Sequence, residues 1–215
     1  MMISLAVVFF IFVFFFALVG ALRGWATEML VTFSVILTLF LVIITQDYIE
    51  VLIVPFKTLD VNNGFVEQDA AEDIIILEPE EVQPFSSIDS ANQVIYRRQF
   101  WYRTGMLILL VFFGYQTPRI ARLGGSVRRE KLQDTLLGFV VGAFNGYLII
   151  GTIWSYMHSA HYPFEPYIIA PNASDPLLDM ATTLINILPP VWLGTSPGIF
   201  IAVGLAFLFV LVVFI

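Results

Sequence analysis

The sequence is poor in the residue types on which most enzyme chemistry depends. Its 215 residues include no cysteine, which excludes disulfide frameworks, thiolate metal sites, iron–sulfur clusters and thiol nucleophiles. Only two histidines are present, so histidine-based catalysis has just two candidates. Charged residues make up 13% of the chain, against roughly 25% in soluble domains. These absences argue against an enzyme and against a soluble domain.

The two histidines, His158 and His161, lie three residues apart, and Glu165 follows. On one helical face, two imidazoles and a carboxylate can bind zinc or iron. No third strong ligand is specified, however, and the aromatic neighbours favour an ordinary interfacial loop. No phosphate-binding loop, nucleophile elbow or zinc-protease motif occurs. We therefore predict no catalytic residue, no cofactor and no bound metal.

What the sequence has in excess is hydrophobicity. Hydrophobic residues account for 59% of the chain, 21 residues are Phe, and the mean hydropathy is +0.87. A membrane-spanning helix needs about 20 mostly apolar residues. Five apolar runs predict an all-α integral membrane protein, a helical bundle of four transmembrane helices plus a fifth C-terminal one. The runs are 2–22, 26–45, 104–115, 136–157 and 198–215.

The first two runs predict a tight transmembrane hairpin over residues 1–45, with its turn at Arg23-Gly24-Trp25. Residues 46–103 then form a long acidic loop, and 116–133 form a basic loop between helices three and four of the segment 104–157. The net charge of −7 comes from the acidic loops rather than from the chain as a whole. It also argues against nucleic-acid binding.

The segment 158–197 contains seven of the eleven prolines. Within it, 177–188 has the pattern of an amphipathic helix. This helix either lies in the outer membrane interface or packs on the bundle. Its polar stripe consists of Asp179, Thr182, Thr183 and Asn186.

Basic residues predict the orientation, because they are enriched in cytoplasmic loops. Arg23 and the five basic residues of 116–133 fall on one side of a five-span protein, against four basic residues on the other side. We place these six in the cytoplasm and the N-terminus outside. The run 198–215 has no basic stop after it, which predicts either a genuine fifth helix or an anchor for a missing C-terminal domain.

Three polar residues are predicted at membrane depth or at its boundary. Arg23 and Glu28 form either a structural ion pair that closes the hairpin, which we favour, or part of a polar pathway. Asn145, inside the fourth helix, should face protein rather than lipid. Asp134 is placed to cap the N-terminus of the fourth helix.

Glycines mark the fourth helix as a surface for packing or for oligomerisation. Gly138, Gly142 and Gly146 are spaced four residues apart, so they share one face that another helix can approach closely. Gly20 and Gly24 have the same spacing at the hairpin turn.

Two segments resemble the signatures of the colicin V production protein (CvpA) family. Residues 22–28, LRGWATE, are similar to the family's "RGf..E" between its first two helices. Residues 134–146, DTLLGFVVGAFNG, are similar to its "D+.lG...G..rG" at the start of the fourth helix. The chain departs from the pattern at Thr135 and Asn145, in its long acidic loop and in its fifth helix. The resemblance covers about 1–45 and 104–157.

The resemblance implies a non-enzymatic protein of the bacterial inner membrane, linked to toxin production or export and to envelope homeostasis. Its expected partners are the lipid bilayer and membrane proteins, including a second copy, with no small-molecule substrate identified. The residues that carry the motifs are Arg23, Gly24, Glu28, Asp134, Gly138, Gly142, Asn145 and Gly146. A transporter or channel component, with a polar pathway near Arg23, Glu28 and Asn145, is the alternative hypothesis.

Overall fold

A computed structural model describes residues 4–53, 84–116, 131–194 and 197–214. These ranges contain helices and a single 3-10 turn, Phe85–Ser87, but no strand. The predicted loops lie largely outside the described residues, the acidic one over 54–83 and the basic one over 117–130. The helices are α1 Leu5–Arg23, α2 Trp25–Ile53, α3 Ser90–Gln116, α4 Lys131–Ser159, α5 Leu178–Asn186, α6 Pro189–Leu193 and α7 Gly198–Phe214.

α2 and α3 are longer than the apolar runs that predicted them. α2 continues to Ile53 and α3 begins at Ser90, so the predicted loop 46–103 is helical at both of its ends. Hydropathy marks only the apolar part of a helix, whereas the backbone hydrogen bonds continue through polar residues. In the polar half of α3, Arg97 donates to the Pro163 carbonyl oxygen at 3.3 Å, so this half is held by the segment after α4.

Three helices in the described ranges are long and apolar enough to cross a membrane, namely Leu5–Arg23, Trp25–Thr45 and Leu132–Ser159. A fourth span arises if Leu178–Leu193 and Gly198–Phe209, which are bent by 71° from each other, count as one broken span. α3 and α7, each predicted as a span, do not qualify on their own over the described residues. Over the described residues the protein is thus all-helical, with three to four candidate membrane spans. The five spans expected from the sequence remain a prediction.

The long helices alternate in direction. At one end of the bundle, which we call the turn end, Arg23 of α1 contacts the last turn of α3, and Trp25 of α2 contacts the first turn of α4. α7 begins towards the opposite end, where Phe200 packs on Phe40, and it runs back to the turn end, where Phe209 packs on Trp25. Consecutive long helices therefore run in opposite directions, and α7 packs on α2 rather than on α4.

α1 packs along α4, and the glycines of α4 form the contact. A Cβ added to Gly142 would lie 2.8 Å from the Gly20 Cα, and one added to Gly146 would lie 2.9 Å from the Val13 Cα. Gly138 lies against the backbone of Gly20 in the same way. The face predicted from the glycine spacing is therefore covered by α1 of the same chain, which makes it an internal packing surface.

α5 is the predicted amphipathic helix, although it ends at Asn186 rather than at 188. Its polar stripe is exposed, while Ala181 and Leu184 are buried in the main hydrophobic cluster. The Asp175 carboxylate accepts from the Leu177 amide at 2.9 Å and from the Ser4 hydroxyl at 3.0 Å, which ties this region to the start of α1. The sequence left open whether this helix lies in the membrane interface or packs on the bundle, and α5 packs on the bundle.

We expect Gly142→Leu to destabilise the protein, because the new side chain meets the α1 backbone, which cannot rotate aside. Overpacking of this kind should cost about 3 kcal/mol or more. The apparent melting temperature in detergent should fall by roughly 6–12 °C. Gly204→Leu in α7 is the matched control, since nothing lies within 4 Å of a Cβ added there. Equal shifts for the two variants would contradict close α1–α4 packing.

Candidate functional site at the turn end

An ion pair joins the two ends of the hairpin turn. Arg23 Nη1 lies 2.9 Å from Glu28 Oε1, across the single residue, Gly24, that separates α1 from α2. The Glu28 side chain is 0% exposed and that of Arg23 is 18% exposed. A buried carboxylate is costly unless it is paired and hydrogen-bonded. The structural ion pair favoured from the sequence is therefore present.

The same guanidinium reaches the last turn of α3. Arg23 Nη2 donates to the Tyr115 carbonyl oxygen at 3.1 Å, and its Cζ lies 4.4 Å from the centroid of the Tyr115 ring. A cation over an aromatic face is attracted by the ring quadrupole, more so where water is scarce. Arg23 thus connects α1, α2 and α3.

Asn145 connects α4 to the same carboxylate. Its Nδ2 donates to Glu28 Oε2 at 2.9 Å and to the Glu28 backbone oxygen at 2.8 Å. Its Oδ1 accepts from the Thr32 hydroxyl at 2.6 Å. Asn145 is 0% exposed. As predicted it faces protein, and both polar atoms of its side chain are occupied.

Asp134 does not cap the fourth helix, so that prediction is wrong. α4 begins three residues earlier, at Lys131, and Asp134 lies in its first turn. Its Oδ1 instead accepts from the Trp25 backbone N–H at 3.2 Å, so it satisfies one of the free amides at the start of α2. Asp134 reaches this amide because the hairpin turn packs against the start of α4.

Gly24 allows this contact in two ways. Its φ of 88° lies in the left-handed region, which side chains other than glycine rarely adopt. A Cβ at this position would also lie 2.8 Å from Asp134 Oδ2. The residue therefore serves both the turn between α1 and α2 and the approach of α4.

The structure brings together the residues that carried the two motifs. One hydrogen-bonded cluster contains Arg23, Glu28 and Asn145. With Thr32 and Tyr115, which contact it, we call this set the turn-end cluster. The motif residues Gly24, Asp134, Gly138 and Gly142 lie beside it, and Gly146 packs further along α1. Sequence reasoning missed Thr32 and Tyr115. Thr32 lies one helical turn after Glu28, a spacing that signals a shared face, whereas no sequence signal points to Tyr115.

The described residues contain no group of three His, Asp or Glu side chains placed to hold a metal ion. His158 Nδ1 lies 3.2 Å from the Tyr162 hydroxyl, and His161 packs on the Tyr96 ring. Glu165 accepts from the Ser86 backbone amide at 2.9 Å. The metal pattern considered for these three residues therefore does not assemble.

No protein-family model, curated protein or solved structure matches this chain. The class of protein follows from its own fold and site. Over the described residues it is an all-helical protein with three to four candidate membrane spans, and its polar and glycine motifs meet at one end of the bundle.

We expect Arg23→Gln to destabilise the protein by about 3–5 kcal/mol, because it leaves the buried Glu28 carboxylate without its cation. The double variant Arg23→Gln/Glu28→Gln removes both charges and should cost less than the single one. Thermal unfolding in detergent measures both variants. Asp179→Asn, which removes an exposed carboxylate of α5, is the control and should be nearly neutral. A double variant no more stable than Arg23→Gln would contradict charge pairing at this site.

Proposed function

We propose that this chain is a non-enzymatic, multi-pass protein of the bacterial inner membrane that acts through protein partners. Its role would be in toxin production or export and in envelope homeostasis, as the resemblance to the colicin V production family implies. One observation carries the proposal. The two segments that resemble the family's signatures, more than 100 residues apart in sequence, contact each other through Glu28 and Asn145.

The cluster supports a scaffold rather than a reactive site. Both Glu28 carboxylate oxygens and both Asn145 side-chain atoms have partners inside the protein. The Tyr115 hydroxyl is buried beside them and has no hydrogen-bond partner among the described residues. What the cluster does is hold four helices in one arrangement, and the exposed apolar faces of α1 and α3 are then available to lipid or to other membrane proteins.

A transporter or channel component is the second candidate, because Arg23, Glu28 and Asn145 do converge in the protein interior. Ionisable residues in a membrane interior often mark ion or proton pathways. In this hypothesis the Glu28 carboxylate itself is required, since it must exchange protons or ions. The scaffold hypothesis requires only that the cluster remains packed and neutral overall.

The two functions predict different results for the charge-neutral double variant. We expect Glu28→Gln alone to abolish rescue of envelope integrity and colicin V secretion in a strain that lacks the gene. Arg23→Gln/Glu28→Gln, with no unpaired charge, should recover part of the rescue and the partner crosslinks found in membranes. Asp179→Asn, which removes one exposed carboxylate from α5, is the matched control and should behave as wild type.

A folded double variant that forms wild-type crosslinks yet gives no rescue would contradict the scaffold proposal and favour a pathway. Proteoliposomes complete the comparison. Ion or proton flux that depends on Glu28 would favour the transporter hypothesis, whereas flux unchanged by Glu28→Gln counts against it. Absence of any envelope or secretion phenotype on gene deletion would contradict the proposed role itself.

A further inference from the structure

The residues that follow α4, 160–168, hold the first half of α3 in place, and we call them the clasp. The Pro163 carbonyl oxygen accepts from Arg97 at 3.3 Å. The ring centroid of Phe164 lies 5.2 Å from that of Phe100 in an edge-to-face contact. The clasp therefore joins the end of α4 to α3, at the end of the bundle opposite to the turn end.

The clasp begins with a backbone conformation that most side chains disfavour. His161 and Tyr162 both have a φ of 55°, in the left-handed region, although neither is glycine. Residues in this region persist only where the surrounding structure holds them. Tyr162 is only 2% exposed, so its buried side chain supplies that hold. The conformation of the clasp thus depends on keeping Tyr162 in its place.

Two hydrogen bonds hold the Tyr162 hydroxyl, and together they determine where its proton lies. The Trp154 indole N–H can only donate, and its Nε1 lies 3.2 Å from the hydroxyl oxygen. His158 Nδ1 lies 3.2 Å from the same oxygen. The hydroxyl has no third partner among the described residues, so its own proton is satisfied only if Nδ1 accepts it. The arrangement therefore requires a neutral His158 that carries its proton on Nε2.

A proton added to Nδ1 would reverse the bond between His158 and Tyr162. An imidazolium can only donate, so the Tyr162 O–H would lose its acceptor while it remains buried. A buried donor without a partner is destabilising. The cost falls on the residue that holds the strained start of the clasp. The stability of the clasp is therefore present while His158 is neutral and is lost as the pH falls.

Protons can reach His158 from outside the protein. Its side chain is half-buried and lines a partly open cavity between α2, α3, α4 and the α5–α6 segment. Arg103 and Tyr156 line the same cavity, His161 lies three residues further along, and the lining residues of α2 and of the α5–α6 segment are uncharged. None of the described residues that line the cavity is a carboxylate that could offset a charge on His158. Glu165, the carboxylate of the clasp, accepts instead from the 3-10 turn before α3.

We propose that His158 is the proton sensor of an acid-sensitive switch, in which protonation of Nδ1 releases Tyr162 and opens the clasp. Opening separates the first half of α3 from the end of α4. In the predicted orientation this end lies outside the cytoplasm, so the switch responds to the pH on that side. The turn-end cluster takes no part in it, and the proposal does not rest on the proposed function.

Spin-label distances in the purified full chain test the switch, because the chain has no cysteine of its own. Asn92→Cys in α3 and Tyr167→Cys in the clasp replace two exposed side chains with label sites. The measurement compares about pH 8 with about pH 4.5, on either side of the range in which histidine usually gains its charge. The distance should lengthen in acid, and the ratio of open to closed form should rise at least about tenfold, since one proton bound only in the open form gives up to about tenfold per pH unit. An unchanged distance would overturn the proposal.

Three variants identify the group that titrates. His158→Asn should stay closed at both pH values, because its Oδ1 can accept from Tyr162 in place of Nδ1 and takes up no proton. His161→Asn is the matched control, since it removes the other histidine and asparagine tolerates a left-handed backbone. It should open in acid as the wild type does, and so should Glu165→Gln, which removes the carboxylate of the clasp. An acid transition that persists in His158→Asn, or that disappears in either control, would overturn the proposal.

A second measurement keeps the test valid if His158→Asn fails to fold. The chain has only two histidines, so isotope-labelled histidine gives two side chains to observe by NMR, and His161→Asn identifies the one that belongs to His158. At about pH 8 the ring-nitrogen chemical shifts of His158 should show an unprotonated Nδ1 and a proton on Nε2. In acid, Nδ1 should gain its proton together with the increase in label distance. A proton on Nδ1 at about pH 8, or protonation without a change in distance, would overturn the proposal.

Discussion

The structure depends on one buried charge, the carboxylate of Glu28. It is fully buried at the start of α2, where an unpaired charge would cost several kcal/mol. Arg23 at the end of α1 neutralises this charge, and Asn145 in α4 donates a hydrogen bond to it. Arg23 also binds the last turn of α3. Because each partner belongs to a different helix, satisfying this carboxylate fixes the relative positions of the four helices at the turn end.

The glycines of α4 make that arrangement sterically possible. α4 presents Gly138, Gly142 and Gly146 to α1 and, from the same turns, presents Asn145 to α2. Bulky residues in place of the glycines would push α1 away and, with it, the Arg23 guanidinium that neutralises Glu28. Packing and charge compensation are therefore two consequences of one helix–helix approach.

Buried polar groups occur at both ends of the bundle. At the turn end the charged and amide groups of Arg23, Glu28 and Asn145 bind one another, and the Tyr115 hydroxyl has no partner among the described residues. At the opposite end the Tyr156 hydroxyl is buried and likewise has no partner among the described residues.

The sequence by itself determined the features that depend on local spacing and composition. These are the all-helical class, the hairpin turn near Gly24, the glycine face of α4 and the polar stripe of α5. Tertiary structure decided the features that depend on contacts between distant segments. These are the capping of α2 by Asp134, the contact of Arg23 with Tyr115, and the shortening of the hairpin turn to the single residue Gly24. The Asp134 carboxylate could accept from a free amide at the start of α2 or of α4. Only the packing of the helices determines that the Trp25 amide of α2 lies within hydrogen-bond distance.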